Sequence, residues 1–272
     1  MKRGGDEIVE ASHMENNVVL YKKENGAGLI VMNRPEVRNS LNREVFHALD
    51  AVLDQAKDDD EVRVLVLSGA GDSFVAGADI NELLGFRTQV GWSSSRFSQS
   101  VFNKLERMGK PSIAVINGPA LGGGLELALA CTFRVASEKA KLGFPEVGLG
   151  IIPAFGGTQR VVRCVGKARA AELLLLRKIV GAEEALRIGL VHEVTEENRV
   201  VERAMELACD LASLSPVAVR FELELLREAE NHGFDTGLAL ESALGALAVA
   251  SGEAKELLGQ FVSKSKGKHD GK

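Results

Sequence analysis

A run of three glycines, Gly122–Gly124, constrains the fold more than any other feature of this sequence. The apolar segment Ser112–Ile116 before it predicts a buried strand, and the segment Leu125–Cys131 after it predicts a helix. Glycines at the start of a helix let the backbone approach a ligand closely and direct N–H groups at it. Such donors suit an anion, or an oxygen that becomes negative during a reaction. We therefore predict a ligand site at this strand-to-helix junction.

Two carboxylates accompany the glycine run. Glu126 lies in the first turn of the predicted helix, and Glu146 follows Pro145, which stiffens its loop. Two carboxylates beside backbone donors indicate acid–base chemistry on a carbonyl compound. Two structural interpretations remain open, because glycines before a helix also form simple tight turns and a first-turn Glu also complements the helix dipole.

The glycine motifs do not fit nucleotide binding. The chain has no G-x-x-x-x-G-K-[ST] sequence, and Gly122-x-Gly124 has Leu127 where a dinucleotide fingerprint has its third glycine. A second candidate after the strand Val62–Ser68 fails in the same way at Phe74.

Composition excludes several broad classes. The chain has 272 residues, of which 45% are hydrophobic and 26% charged, as in an ordinary globular protein. Its net charge of −5 argues against a general nucleic-acid binder. The apolar stretches are too short or interrupted to span a bilayer, so no membrane association is expected. Residues 1–17 are polar and lack the apolar core of a signal peptide, so we expect a disordered or tag-derived N-terminus and a cytoplasmic protein.

The cysteines and histidines predict neither disulfides nor a metal site. The three cysteines (Cys131, Cys164 and Cys209) lie in apolar helical segments, which favours reduced core thiols. The five histidines are scattered and no cysteine pair has metal-ligand spacing, so no metal ion or other cofactor is expected.

The order of elements predicts an α/β core followed by helices. Asn25-Gly26 predicts a hairpin between Val18–Lys23 and Ala27–Asn33, and Asn42 begins an amphipathic helix. Asp79 is predicted to cap a short helix. The Ser-rich segment 86–100 is weakly patterned, and we expect it to be mobile. After about residue 145 every element is predicted to be helical.

Several short motifs, in this order and spacing, resemble those of the crotonase family, also called the enoyl-CoA hydratase/isomerase superfamily. The likeness extends from Val18 to Lys264. The motifs are Asn33-Arg-Pro35, Asn39-Ser-Leu41, Ala76-Gly-Ala-Asp-Ile80, Asn117–Glu126, Phe144-Pro-Glu146, Ile152-Pro153, Gly156-Gly-Thr-Gln-Arg160 and Gly189-Leu-Val191. Each motif is weak alone, and their combination is specific.

The resemblance implies a spiral of ββα units with a helical C-terminal part that mediates trimers, commonly paired into hexamers. Periodicity alone does not distinguish this fold from a doubly wound sheet. The implied boundaries are a core at 18–215, an oligomerisation region at 216–264 and a polar tail at 265–272.

The resemblance also implies the chemistry of the site. The backbone N–H groups of Ala78 and Gly123 would bind the thioester oxygen of an acyl-CoA, which becomes negative as an enolate. Glu126 would help to remove a proton from water as hydroxide adds to C3, and Glu146 would deliver a proton to C2.

Further residues are implied to bind coenzyme A or the acyl group: Arg38, Ala76, Gly77, Asp79, Ile80, Gly122, Phe261 and Lys264. Phe261 and Lys264 would reach a neighbouring subunit, whereas Arg38 would meet a phosphate or remain solvated. The sequence departs from the family at Glu36 and Asn81, where many hydratases have lysine, and at Ala154, where glycine is frequent.

The function implied is that of a 2-enoyl-CoA hydratase, with coenzyme A as part of the substrate rather than a cofactor. The nearest alternative is a Δ3,Δ2-enoyl-CoA isomerase of the same fold, which chiefly needs Glu146. A more remote one is an RNA-binding relative, which the acidic helix carrying Asp50 and Asp54 disfavours.

Overall fold

The structure, a computed structural model, describes residues 18–229 and 231–269, with side chains as far as 263. The prediction for residues 1–17 and the end of the predicted tail lie outside the described residues. Within 265–272, helix continues to His269.

Two sheets carry the described strands, which are β1 Val19–Glu24, β2 Ala27–Met32, β3 Val64–Gly69, β4 Ser112–Ile116, β5 Ala120–Leu121, β6 Phe133–Ser137, β7 Lys141–Gly143, β8 Val180–Gly181 and β9 Glu193–Thr195. The larger sheet has the order β1-β2-β3-β4-β6-β9 and is parallel except for the β1–β2 hairpin. The smaller sheet has the order β5-β7-β8. The hairpin turn is confirmed, with positive φ at both Asn25 and Gly26.

The described α-helices are α1 Arg43–Asp58, α2 Ile80–Leu83, α3 Thr88–Arg107, α4 Gly123–Ala130, α5 Gly157–Leu175, α6 Ala182–Arg187, α7 Val200–Ala212, α8 Pro216–Glu228, α9 Phe234–Ala250 and α10 Gly252–His269. The predicted helix start at Asn42 and the predicted cap at Asp79 are confirmed. Asn42 accepts a hydrogen bond from the Val45 N–H, and Asp79 accepts one from the Asn81 N–H.

The segment 86–100 was expected to be mobile, but most of it lies in helix α3. Its apolar face packs on α1, where Phe102 meets Phe46 at a ring-centroid distance of 5.5 Å and Phe97 meets His47 at 4.6 Å. These tertiary contacts stabilise a helix whose Ser-rich sequence has only a weak pattern of its own.

The expectation that only helices follow residue 145 is also wrong. Strand β9 extends the larger sheet by pairing with β6, and β8 pairs with β7. Both are so short that their few residues show no recognisable period. Helix α5 consists of two helical stretches, which a non-helical break at Gly166 separates.

Helix α4 is the buried centre of the fold, since all of its residues are buried. Apart from Glu126, its residues are glycine or apolar, and a helix that is apolar on every side belongs inside a core. Helices α8 and α9 differ, because neither has a buried residue and large apolar side chains remain exposed on them, such as Leu226 at 65% and Phe234 at 80%. The domain boundaries stay a prediction. No helix among the described residues is long and apolar enough to cross a membrane.

Candidate active site

Two segments run side by side toward the start of α4. Val75 and Ala120 form an isolated parallel bridge, in which the Val75 N–H donates to Pro119 O at 3.2 Å and the Leu121 N–H donates to Val75 O at 3.1 Å. Three residues beyond this bridge, the two segments reach Ala78 and Gly123. The bridge therefore places the two segments that carry the predicted oxyanion donors side by side.

The direction of the Ala78 N–H is fixed by Leu41. The Leu41 N–H donates to Gly77 O and the Asp79 N–H donates to Leu41 O, both at 2.8 Å. In a trans peptide the C=O and N–H point in opposite directions. The Ala78 N–H shares its peptide with Gly77 C=O, so it points away from Leu41.

The Gly123 N–H is the first donor of α4. The C=O of Gly122 accepts the Glu126 N–H at 3.0 Å, so the N–H on the same peptide points outward from the helix start. Neither the Gly123 nor the Ala78 N–H donates to an acceptor within the described part of the chain. Both are therefore available donors, of the kind that suits an oxygen that becomes negative during a reaction.

Gly122 and Gly124 are required because a side chain at either position would clash with its neighbours. Gly122 has φ 50°, and a Cβ on it would lie 2.4 Å from Oε1 of Glu146. A Cβ on Gly124 would lie 1.9 Å from Val75 O. Gly122 thus makes room for a carboxylate, and Gly124 lets α4 lie directly against the segment that leads to Ala78.

Glu126 is held by two backbone donors. Its Oε1 accepts the Gly157 N–H at 2.6 Å and the Phe155 N–H at 2.8 Å, and the residue is only 1% exposed. The pKa of Glu126 is raised to about 7, chiefly by burial and also by nearby Glu146, whereas the two N–H groups act in the opposite direction.

Glu146 is 9% exposed and differs from Glu126 in its partners. Its Oε2 is buried and has no hydrogen-bond partner among the described residues. Burial raises its pKa to about 7, with an opposing contribution from its own N–H. A carboxyl oxygen without donors favours the protonated form, whereas the two donors on Glu126 favour the ionised form. The site can therefore hold one base and one acid near neutral pH.

An aromatic wall made of Phe155, Phe46 and Phe102 stands beside the donors. A Cβ on Gly123 would lie 3.1 Å from the Phe155 ring, so this ring covers the start of α4. Phe155 meets Phe46 edge-on at 5.1 Å and Phe102 at 6.2 Å between ring centroids. The wall limits the space next to the donor pair.

Comparison with known proteins identifies the family of this chain. The family model described as enoyl-CoA hydratase/isomerase matches residues 22–272. The chain belongs to this family. As a family member it is similar to the short-chain-enoyl-CoA hydratase of Clostridium acetobutylicum, with 41% identity covering 93% of this chain and 97% of the relative. It is also similar to the crotonyl-CoA hydratase of Syntrophomonas wolfei, with 39% identity covering 92% and 96%.

The solved structures confirm the crotonase-like fold. A Bacillus anthracis enoyl-CoA hydratase aligns with TM-score 0.87 and 35% identity, covering 91% of this chain and 96% of that structure. Acyl-CoA is accordingly the substrate class of the family to which the chain belongs.

The residues predicted to bind coenzyme A divide into two groups. The first lies together beside the donors, since Arg38 O accepts the Ala76 N–H at 3.0 Å and Gly77 and Ile80 flank Ala78 and Asp79. Arg38 is exposed, and Ile80 is 49% exposed. The Asp79 carboxylate binds Arg34 and caps α2, so its contacts are within the protein.

The second group lies on α10. Phe261 is 71% exposed on this helix, which packs against α9. The Lys264 side chain lies outside the described residues. The contact of both residues with a neighbour's coenzyme A stays a prediction.

Sequence reasoning missed the two N–H groups that hold Glu126. The neighbouring Ala154, where the sequence departs from the family, accepts the Gln99 side chain through its C=O at 2.9 Å. Gly156-Gly157 at the start of a helical segment was the available signal, because a helix N-terminus attracts a carboxylate. No sequence pattern indicated that the N–H of Phe155 would join it.

Proposed function

We propose that this protein is an enoyl-CoA hydratase that adds water reversibly across the 2,3-double bond of a short-chain 2-enoyl-CoA to give a 3-hydroxyacyl-CoA. The observation that carries the proposal is the pair of buried carboxyls, each with a pKa raised to about 7, beside two available backbone N–H donors. Membership in the enoyl-CoA hydratase/isomerase family supports it.

The partners of each carboxyl assign its role. Glu126 accepts two N–H bonds that favour its charged form, so it acts as the base that takes a proton from water. Glu146 has a buried oxygen without a partner, so it is the acid that protonates C2. Hydroxide adds to C3 while the electrons of the double bond move toward the thioester oxygen.

The donor pair makes this addition feasible. Charge develops on the thioester oxygen as the enolate forms, and the N–H groups of Ala78 and Gly123 are positioned beforehand to stabilise it. Preorganised donors cost no reorganisation at the moment of reaction. C2 becomes basic only in the enolate, so the donors and the acid must act together.

The aromatic wall supports short acyl groups. Phe155 lies against Gly123, and Phe46 and Phe102 close the space behind it. Two relatives bear names that specify short-chain and crotonyl substrates. A longer acyl chain would have to displace the Phe155 ring.

Self-association accompanies the proposal. The C-terminal helices expose large apolar side chains, including Leu226, Phe234 and Phe261, that a second and third copy would cover. A homotrimer, or a hexamer of two trimers, is the proposed assembly. The cysteines form no disulfide within the described residues, which fits a reducing cytoplasmic location.

The alternative functions receive less support. An isomerase chiefly needs Glu146, yet Glu126 is held at the same site with a raised pKa, and the similar relatives named above are hydratases. For RNA binding, α1 carries Asp50 and Asp54, and Lys104 binds both carboxylates instead of remaining available for phosphate.

The test is a panel of 2-enoyl-CoA esters of graded acyl length, followed by loss of the conjugated thioester absorbance. We expect rapid hydration of crotonyl-CoA and a decline with increasing length. Failure to hydrate any ester, with isomerisation of a 3-enoyl-CoA in its place, would replace the hydratase by the isomerase.

A further inference from the structure

Arg34, from the Asn33-Arg-Pro35 motif, has no part in the chemistry above, yet it lies beside the oxyanion site. Its guanidinium is largely buried, with 16% side-chain exposure, and it spans two partners. Nη1 donates to Ser40 O at 2.6 Å, and Nη2 donates to Oδ2 of Asp79 at 3.1 Å. Ser40 precedes Leu41 and Asp79 follows Ala78, and Leu41 and Ala78 form a bridge. The Arg34 guanidinium therefore contacts both of the bridged segments.

A chain of two peptide units connects this cation to the Ala78 donor. The C=O of Ser40, which Arg34 binds, shares a peptide with the N–H of Leu41. That N–H donates to Gly77 O at 2.8 Å. The C=O of Gly77 shares a peptide with the N–H of Ala78. Each peptide therefore accepts on the side nearer the guanidinium and presents its N–H on the opposite side.

We propose that Arg34 is a positioning residue that aligns and polarises the Ala78 N–H through these two peptides. A positive charge at the accepting end draws electron density along both units and makes the terminal N–H a stronger donor. Linked hydrogen bonds strengthen one another by about 10–30% per bond. The proposal rests on the hydratase function, because it concerns the oxyanion site of that reaction.

The cation is itself fixed in place. Asp79 is only 15% exposed, and its other oxygen accepts the Asn81 N–H at 3.1 Å, which prevents the carboxylate from rotating away. The backbone N–H of Arg34 donates to Oδ1 of Asn39 at 2.9 Å. Asn39 is 1% exposed, and its Nδ2 donates to Ser73 O in the loop that leads to Ala78. The geometry is thus maintained without substrate.

The test compares Arg34→Gln and Arg34→Lys with wild type in two measurements. The first is kcat and KM for crotonyl-CoA hydration. The second is the carbonyl stretching frequency of bound butyryl-CoA carrying 13C at its thioester carbon, by difference infrared spectroscopy. Butyryl-CoA has no double bond to hydrate, so this readout does not depend on turnover. Arg203→Gln is the matched control, because Arg203 also spans two partners, Glu193 and Glu206, elsewhere on the surface.

We expect Arg34→Gln to lower kcat about ten- to a hundredfold, less than or comparable to the loss of a whole donor, with KM changed less than about threefold. Its bound carbonyl should lose part of the shift to lower frequency seen in wild type. Arg34→Lys keeps the charge but loses the two-pronged guanidinium, so its kcat and carbonyl frequency should lie between those of wild type and Arg34→Gln. Arg203→Gln should match wild type.

A full wild-type frequency shift together with reduced kcat would overturn the proposal, and so would unchanged values of both. If Arg34→Gln does not fold by circular dichroism, Arg34→Lys decides by the same criterion. If wild type lowers the carbonyl stretching frequency of bound butyryl-CoA but does not hydrate crotonyl-CoA, the hydratase proposal fails. The infrared comparison of the variants still tests the role of Arg34.

Discussion

Gly157 donates its backbone N–H to Oε1 of Glu126 at 2.6 Å, and a side chain on Gly157 would occupy the space of that same carboxylate. A Cβ there would lie 2.6 Å from Cγ and 2.9 Å from Oε1 of Glu126. The start of α5 therefore both binds the proposed base and leaves it room. Glu126, from the first turn of α4, is held at the N-terminus of a second helix, where a negative charge is stabilised.

Gly157→Ala should displace Glu126 and lower kcat for hydration about ten- to a hundredfold, since displacement of a catalytic group by an ångström has effects of this size. KM should change little, because the coenzyme A contacts are elsewhere. Gly181→Ala is the control, as its Cβ meets nothing within 4 Å and its φ is −80°. Steady-state kinetics on both variants measure the effect. If Gly157→Ala is as active as Gly181→Ala, Gly157 does not hold Glu126 in its active position.

The two raised pKa values predict how stability varies with pH. The native state keeps protons on Glu126 and Glu146 up to about pH 7, whereas the unfolded carboxyls lose theirs near 4.5. The native state thus binds more protons between these values, and the free energy of unfolding falls as pH rises through this window. The loss is about 1–3 kcal/mol per group.

Glu146→Gln should reduce this decline, because an amide does not titrate. Urea unfolding at pH 5 and pH 8 measures the difference for wild type and variant. Glu36→Gln, at an exposed position, is the control. A decline that Glu146→Gln leaves undiminished would contradict the placement of Glu146 as a buried, proton-holding carboxyl.

Phe155→Ala should extend the range of acyl lengths. Removing the ring opens the aromatic wall beside Gly123 while keeping the N–H that binds Glu126. We expect kcat/KM for longer 2-enoyl-CoA esters to rise at least about tenfold relative to crotonyl-CoA, the scale of one or more methylenes admitted to a pocket. Phe155→Leu, which keeps most of the bulk, should change the ratio less. An unchanged ratio in Phe155→Ala would show that another surface sets the length limit.

Local signals in the sequence predicted several elements because neighbouring residues determine them. Asn25-Gly26 adopts positive φ in both residues, and the side chain of Asn42 caps its own helix. The ordered motifs located Ala78, Gly123, Glu126 and Glu146, and the structure brings the segments that carry them together. Their catalytic roles await the experiments proposed for them.

Long-range contacts explain what the sequence did not predict. Strand β9 exists because Glu193–Thr195 pairs with β6, far away in sequence. Helix α3 depends on packing against α1, and no pattern within 86–100 reveals that partner. The N–H of Phe155 is directed at Glu126 only when the loop before α5 is folded. In each case the missing information lies in the tertiary partner.

The exposed apolar side chains of the C-terminal helices predict the assembly. Light scattering should give the mass of a trimer or hexamer if other copies cover the exposed Leu226 and Phe234, as proposed. A chain ending at Ser251 lacks α10 and should form smaller, less stable species. A fully active monomer would contradict the proposed assembly.

The most direct test of the central claim compares Glu126→Gln and Glu146→Gln on a 2-enoyl-CoA and a 3-enoyl-CoA. Glu126→Gln removes the base that activates water, so hydration of crotonyl-CoA should fall by about 10²–10⁴. Any isomerisation should fall much less, since Glu146 can move the proton alone. Glu146→Gln should damage both reactions, and binding of butyryl-CoA should persist in both variants. Hydration of crotonyl-CoA by Glu126→Gln at the wild-type rate would contradict the account.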